Sequence, residues 1–119
     1  MAKESEKIAV DYDKEEDILS LSKEGNKVKF SLDLEFPKGD FVIDYGFDGK
    51  IVGIEFFNAS SYFPMLKDFS DVKGIKASMS VQYGPNWAQI AYSIYLPNIK
   101  EPIIQYINAP YNKNLILEN

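Results

Sequence analysis

The central part of the chain, residues 40–60, reads DFVIDYGFDGKIVGIEFFNAS. Two apolar runs of strand period flank the sequence Phe47-Asp48-Gly49-Lys50. An Asp-Gly pair accepts the positive φ angle that a tight hairpin connection requires. Polar residues that favour helix starts, Asn58 to Ser61, follow the second run. The stretch predicts a β-hairpin followed by a short helix.

Further alternating runs lie on both sides of this hairpin. In residues 27–36, KVKFSLDLEF, the apolar positions predicted to face inward are Val28, Phe30, Leu32, Leu34 and Phe36. Residues 75–83 and 87–96 alternate in the same way, and Gly84-Pro85-Asn86 separates them with a strong turn signal. With the shorter runs near the two ends, six or seven strands are predicted.

A short helix is predicted near residues 60–70. The segment SYFPMLKDFSD carries Phe63, Leu66 and Phe69 at roughly helical spacing, and Pro64 is tolerated within a first helical turn. We therefore expect an α+β fold with a mostly antiparallel sheet. No low-complexity linker divides the chain, so residues 1–119 are predicted to form a single domain, with a β-rich half at 10–61 and the helix plus further strands at 62–119.

Composition excludes several classes of protein. The 13 basic residues are all lysine, and 18 acids give a net charge of −5. Because nucleic-acid binders present a basic face rich in arginine, we expect no nucleic-acid partner. No run approaches the ~20 apolar residues that a membrane helix needs, so we expect a cytoplasmic protein without membrane contact. Cysteine and histidine are absent, which removes disulfides, thiolate sites and the usual imidazole ligands.

Two segments resemble a small prokaryotic family, the domain of unknown function 2283. The opening motif of that family is matched by Tyr12, Asp13, Glu15, Asp17, Leu19 and Leu21. Its closing motif is matched by Asp48, Gly49, Val52, Gly53, Ile54, Glu55, Asn58, Ala59 and Ser60. The resemblance covers about residues 10–61. It implies a small β-rich domain without an established activity, and some relatives resemble companions of small toxin-like proteins.

Acidic residues are the first candidates for a chemical site. Asp11, Asp13, Glu15, Glu16 and Asp17 form a cluster, but a calcium loop of the EF-hand type would place glycine at position 16 and an acid at position 22, and both requirements fail. A turn in which short carboxylates bond backbone N–H groups explains Asp13 and Asp17 better. No metal, cofactor or catalytic residue is therefore predicted.

Aromatic residues with polar groups are the second candidates. Trp87, Tyr92, Tyr95 and Tyr106 are predicted to contact a partner, since tyrosine and tryptophan are favoured at interfaces, although a sheet protein also uses them as core. The leading hypothesis is a non-enzymatic interaction module that is a homo-oligomer or binds a protein partner, with an antitoxin-like role as one form. The alternative is a small-ligand or divalent-metal-binding domain, or a minor hydrolase, that uses Glu55 and nearby aromatic residues.

Overall fold

The structure is a computed structural model that describes residues 8–68, 74–97 and 99–112. These residues form eight β-strands and two short 3₁₀ helices. The strands are β1 (Ile8–Asp13), β2 (Ile18–Lys23), β3 (Val28–Leu34), β4 (Phe41–Gly46), β5 (Ile51–Phe57), β6 (Lys76–Tyr83), β7 (Trp87–Tyr95) and β8 (Ile103–Pro110). The 3₁₀ helices span Ala59–Ser61 and Pro64–Asp68.

The first five strands form one antiparallel sheet in the order β1-β2-β5-β4-β3. The hairpin predicted at residues 40–60 is confirmed as β4–β5, with Ile43 opposite Ile54. Gly49 in its turn has φ 80°, a left-handed conformation that glycine adopts without a steric cost. The register shifts by one residue between Asp44 and Tyr45, at the end of β4.

The last three strands form a second antiparallel sheet in the order β6-β7-β8. One face of β7 is buried and consists of Ala88, Ile90, Tyr92 and Ile94. The alternate residues of β7 point to the opposite side, as the two-residue period of a strand requires.

The two sheets share one core. Its buried residues come from both sheets and include Leu21, Ile43 and Phe56 from the first and Ile90 and Ile94 from the second. The rings of Phe56 and Tyr92 meet across the layers with centroids 5.1 Å apart. The fold is therefore a β-sandwich with two outward faces, one on each sheet.

Three tyrosine hydroxyls form hydrogen bonds between the second-sheet half of the chain and the β4–β5 hairpin. Tyr45 donates to the carbonyl of Pro110 at 2.7 Å, and Tyr111 donates to the carbonyl of Gly49 at 2.8 Å. The Tyr83 hydroxyl accepts from the backbone N–H of Ile51 at 2.9 Å. Residues of the second half of the chain thus pack directly on the family-like half.

The α+β prediction is wrong, because the described residues contain no α-helix. The helix predicted near residues 60–70 is replaced by the two 3₁₀ helices, and residues 69–73 lie outside the described part of the chain. Pro64 has no N–H for an α-helical bond. The N–H of Leu66 instead donates to Phe63 at 2.9 Å, and this three-residue repeat buries both side chains. Nothing helical among the described residues is long or apolar enough to cross a membrane.

The strand count is also corrected. The described chain has eight strands instead of six or seven, because each short run between turns, such as the six-residue β1 and β2, forms its own strand. Two residues predicted to face inward are substantially exposed: Val28 at 49% and Phe36 at 43%. Val28 borders an irregularity in the register of β3, and Phe36 lies beyond the end of that strand.

Candidate functional site

The acidic turn between β1 and β2 is a structural network. Asp17 has φ 57°, and its carboxylate accepts hydrogen bonds from the Tyr12 hydroxyl at 2.6 Å and from the Ser60 hydroxyl at 2.6 Å. Burial alone would raise the pKa of Asp17, but these hydrogen bonds outweigh it and lower the pKa below its usual value. Asp13 accepts from the backbone N–H of Glu16 at 3.0 Å, as predicted for a turn. Tyr12, Asp17 and Ser60 of the family motif therefore hold the two ends of the family-like segment together.

A second carboxylate pair lies on the outward face of the five-stranded sheet. Asp44 on β4 lies opposite Gly53 on β5. Glu55 lies two residues after Gly53 on β5, so its side chain points to the same face of the sheet. Asp44 is only 7% exposed, and its Oδ1 accepts a 2.6 Å hydrogen bond from Ser31. Burial, then a hydrogen bond with Asp44 and its negative charge, raises the pKa of Glu55 to about 7. The Glu55 carboxyl therefore keeps its proton to a higher pH than an ordinary glutamate does.

The structure separates Glu55 from the exposed aromatic residues of the second sheet. Glu55 lies on the outward side of the five-stranded sheet, whereas Trp87, Tyr95 and Tyr106 point outward from the other sheet. The core lies between them. Among the described residues, these three aromatic side chains therefore do not form a common site with Glu55.

We call the outward side of the three-stranded sheet the neutral face. Its side chains are Lys76, Ser78, Ser80, Gln82, Trp87, Gln89, Ala91, Ser93, Tyr95, Ile104, Tyr106, Asn108 and Pro110. Lys76 is the one charged residue in this set. Tyr106 is 65% exposed and lies opposite Ala91, beside a shallow cavity of about 360 Å³.

Three of the four residues predicted to contact a partner, Trp87, Tyr95 and Tyr106, lie on the neutral face. Tyr92 does not: it is 2% exposed, packs against Phe56, and donates its hydroxyl to Gln105 at 2.7 Å. The alternation of β7 already indicated this burial, because Tyr92 is two residues from Ile90 and from Ile94 and therefore faces the same side of the strand. Tyr92 is therefore a core residue and not part of the neutral face.

A groove that the sequence did not reveal lies between β8 and the β3–β4 loop. We call it the edge groove. It has a volume of about 470 Å³. Its lining residues come from the β3–β4 loop region and Tyr62 on one side and from the second sheet on the other: Phe36, Phe41, Tyr62, Tyr92, Gln105, Tyr106, Ile107 and Asn108. The sequence contained one indication of this groove: Phe36, which is exposed in the structure, stands directly before the turn residues Pro37-Lys38-Gly39.

Hydrogen bonds fix the loop that carries this groove. Ser61 donates its hydroxyl to the carbonyl of Lys38 at 2.9 Å, and Tyr62 donates to the carbonyl of Gly39 at 2.8 Å. Asn58, in the left-handed conformation, donates its side-chain amide to Lys38 as well. Asn58 of the closing motif, with Ser61 and Tyr62 just after it, thus fixes the loop that carries the groove.

Three carboxylates lie close together near the two ends of the β3–β4 loop. Asp33, Glu35 and Asp40 each place an oxygen within 4.8 Å of the other two. A hydrogen bond with Asp40, then burial and neighbouring negative charge, raises the pKa of Asp33. We call these residues the acidic triad.

Comparison with known proteins bears on the family-like segment. Residues 9–60 match the family described as "Protein of unknown function (DUF2283)". This confirms the resemblance predicted from the two motifs. An uncharacterized protein of Methanocaldococcus jannaschii is 47% identical over 57 residues, which cover 48% of this chain and 46% of that protein. The chain thus spans about half the length of this relative. No solved structure matches.

Proposed function

We propose that this chain is a non-enzymatic interaction module that associates with a second copy of itself through the neutral face. The observation that carries the proposal is the concentration of exposed apolar side chains on a surface with one charge. Trp87, Tyr95, Ile104 and Tyr106 are each at least 42% exposed there. Large apolar groups grouped on one face of a soluble domain are typical of interaction surfaces.

The charge distribution of the chain favours a second copy as the partner that binds the neutral face. The chain has a net charge of −5, and the outward side of the five-stranded sheet carries Asp11, Asp13, Asp33, Asp44 and Glu55. Two such molecules repel each other when their acidic faces approach. The neutral face is the direction from which copies approach with least repulsion. A two-fold arrangement would stack two sheets about 10 Å apart, as in the core of a sandwich.

The size of the neutral face sets the expected strength. Three strands of eight or nine residues give a footprint of roughly 25 Å by 15 Å, or about 400 Å². Standard stable interfaces bury about 800 Å² on each partner. We therefore expect a reversible dimer whose population rises with protein concentration. The antitoxin-like role and the cytoplasmic location stay predictions.

Sedimentation equilibrium over a wide concentration range tests this proposal. The Ala91→Arg variant places a charge and a long side chain at the centre of the neutral face, between Ser80 and Tyr106. Ser22→Arg, on the outward side of the other sheet, makes the same change in net charge and is the control. We expect wild type and Ser22→Arg to dimerise and Ala91→Arg to remain monomeric. A wild-type chain that is monomeric at every concentration would overturn the proposal.

A further inference from the structure

The outer edge of β8 has no strand beside it in the described structure, since β8 pairs with β7 alone. The direction of its backbone groups follows from two hydrogen bonds. Tyr111 N–H donates to Asn86, and Gly84 N–H donates to Trp87. Both bonds fit a ladder in which Trp87 and Pro110 face each other as a non-hydrogen-bonded pair.

The register between β7 and β8 has no shift, so hydrogen-bonded and non-hydrogen-bonded positions alternate along the whole of β8. Non-hydrogen-bonded positions recur every second residue, at Ile104, Tyr106 and Asn108. Their N–H and C=O groups point away from β7, toward the open edge. A free edge with unpaired backbone groups is a template for another strand, and proteins normally cover or interrupt it.

The edge groove lies along this same edge. Tyr106 and Asn108 line one side of it, and Phe36, Phe41 and Tyr62 line the other. The aromatic rings support one another: Phe36 and Phe41 have centroids 5.0 Å apart, and Phe41 and Tyr62 have centroids 4.8 Å apart. An apolar side chain that points inward from a strand added to β8 would therefore enter a preformed aromatic site.

The acidic triad gives the site a charge preference. Glu35 precedes Phe36 and Asp40 precedes Phe41, so both carboxylates belong to residues adjacent to groove residues. The hydroxyl of Tyr62 donates to the carbonyl of Gly39, the residue directly before Asp40, at 2.8 Å. Crowded carboxylates are stabilised by a cation, and a lysine or arginine side chain supplies one.

We propose that the edge of β8 binds an extended peptide segment of a partner protein, which adds to the three-stranded sheet as a fourth strand. An inward-facing apolar side chain fills the edge groove, and a lysine or arginine elsewhere in the segment pairs with the acidic triad. This site shares Tyr106 and Asn108 with the neutral face, but it uses the open backbone edge of β8, and the inference does not depend on self-association.

Selection from a displayed library of random peptides against the immobilised full-length chain tests the inference. We expect enriched peptides to combine an apolar residue with a lysine or arginine. Their affinity for purified wild-type and variant proteins is then measured by fluorescence anisotropy. The same measurements on Ala91→Arg separate this inference from the proposed dimer, since that variant removes the dimer and leaves the β8 edge intact.

A matched pair of variants at position 108 isolates the backbone contribution. Asn108→Pro removes an outward N–H that β7 does not use, and proline is tolerated on an edge strand. Asn108→Ala keeps that N–H. We expect Asn108→Pro to weaken peptide binding about tenfold, and Asn108→Ala to change it by less than about twofold. Circular dichroism establishes that each variant is folded.

Two further variants test the groove and the triad without touching the core. Phe36→Ala removes a wall of the groove from an exposed position, and Asp33→Asn with Glu35→Gln removes charge from exposed positions. We expect the first to weaken binding, and the second to abolish the preference for lysine and arginine. Equal binding to wild type, Asn108→Pro and Phe36→Ala would overturn the inference, as would a failure to enrich any peptide. A wild-type dimer that Asn108→Pro dissociates and Asn108→Ala preserves would assign the edge to a second copy and would also overturn it.

Discussion

The hydroxyl of Tyr111, directly after the last strand, donates a 2.8 Å hydrogen bond to the carbonyl of Gly49 in the β4–β5 turn. The two residues are 62 positions apart in the sequence. Gly49 lies within the residues that match the family, and Tyr111 lies outside them. Both groups are buried, so neither has water as an alternative partner. The second sheet is thus an integral layer of the sandwich.

Replacing Tyr111 by phenylalanine should destabilise the protein by about 1 to 2 kcal/mol, because the Gly49 carbonyl is left without its buried donor. Urea denaturation monitored by circular dichroism measures the change. Tyr95→Phe is the matched control, since Tyr95 is 46% exposed on the neutral face, and it should change stability by less than about 0.5 kcal/mol. Equal effects of the two variants would show that the hydrogen bond does not hold the sheets together.

Replacing Asp17 by asparagine should lower the free energy of unfolding by about 1 to 2 kcal/mol near neutral pH. Asparagine tolerates the left-handed backbone, but its amide has only one acceptor oxygen for the hydroxyls of Tyr12 and Ser60. The cost depends on pH. The folded pKa of Asp17 is lowered, so its contribution is present above the unfolded pKa and is lost as the pH falls through the folded pKa. Denaturation at neutral and acidic pH measures this loss. Asp11→Asn, the exposed control, should show neither effect, and a cost for Asp17→Asn that is independent of pH would contradict the assignment.

Glu55 should make the protein less stable as the pH rises from about 4.5 to about 7. Its pKa is raised from the unperturbed value of 4.5 to about 7, so the folded state holds a proton that the unfolded state has released. The stabilisation is complete below the unfolded pKa and is lost as the pH rises through the folded pKa.

Glu55→Gln should therefore be more stable than wild type above neutral pH, by about 1 kcal/mol, because water screens part of the effect. The two proteins should have similar stability in acid. Melting temperatures across this pH range provide the measurement. Glu24→Gln, in an exposed turn, is the control. A wild-type stability that does not fall over this interval would contradict the raised pKa of Glu55.

Gly39→Ala should destabilise the protein by about 3 kcal/mol and disturb the edge groove. Gly39 has φ 148°, and an added Cβ would collide with the backbone carbonyl of Phe57. Gly25 is the matched control: it has φ 82° but open space around the position of a Cβ, so alanine there costs only the backbone strain of about 1 kcal/mol. Thermal denaturation of both variants measures the difference. Similar costs would mean that the loop moves freely and that Gly39 does not fix the groove.

Local periodicity predicted the elements that depend on neighbouring residues. The β4–β5 hairpin, the alternation of β3 at Phe30 and Leu32, and the two long strands of the second sheet follow from the two-residue spacing and from glycine and proline turns. The short helix was predicted wrongly, because Phe63 and Leu66 fit a 3₁₀ turn as well as an α-helix.

Features that depend on tertiary contacts were not predictable. The proximity of Asp44 and Glu55 requires the register of β4 and β5, and the reach of Asp17 to Ser60 spans 43 residues. The edge groove brings Phe36 and Tyr106 together from different sheets. No pattern within one strand contains this information. Tyr92, in contrast, was assigned to a surface although the alternation of β7 placed it with the core.

The fluorescence of Trp87 tests the central claim most directly, since it is the chain's only tryptophan and lies 42% exposed on the neutral face. Emission and acrylamide quenching are measured as the protein concentration rises, for wild type, Ala91→Arg and Ser22→Arg. Association through the neutral face predicts a blue shift and protection from quenching in wild type and Ser22→Arg, and no change in Ala91→Arg. If the emission and the quenching of the wild type do not change while the protein dimerises, the interface lies elsewhere. That result would contradict association through the neutral face.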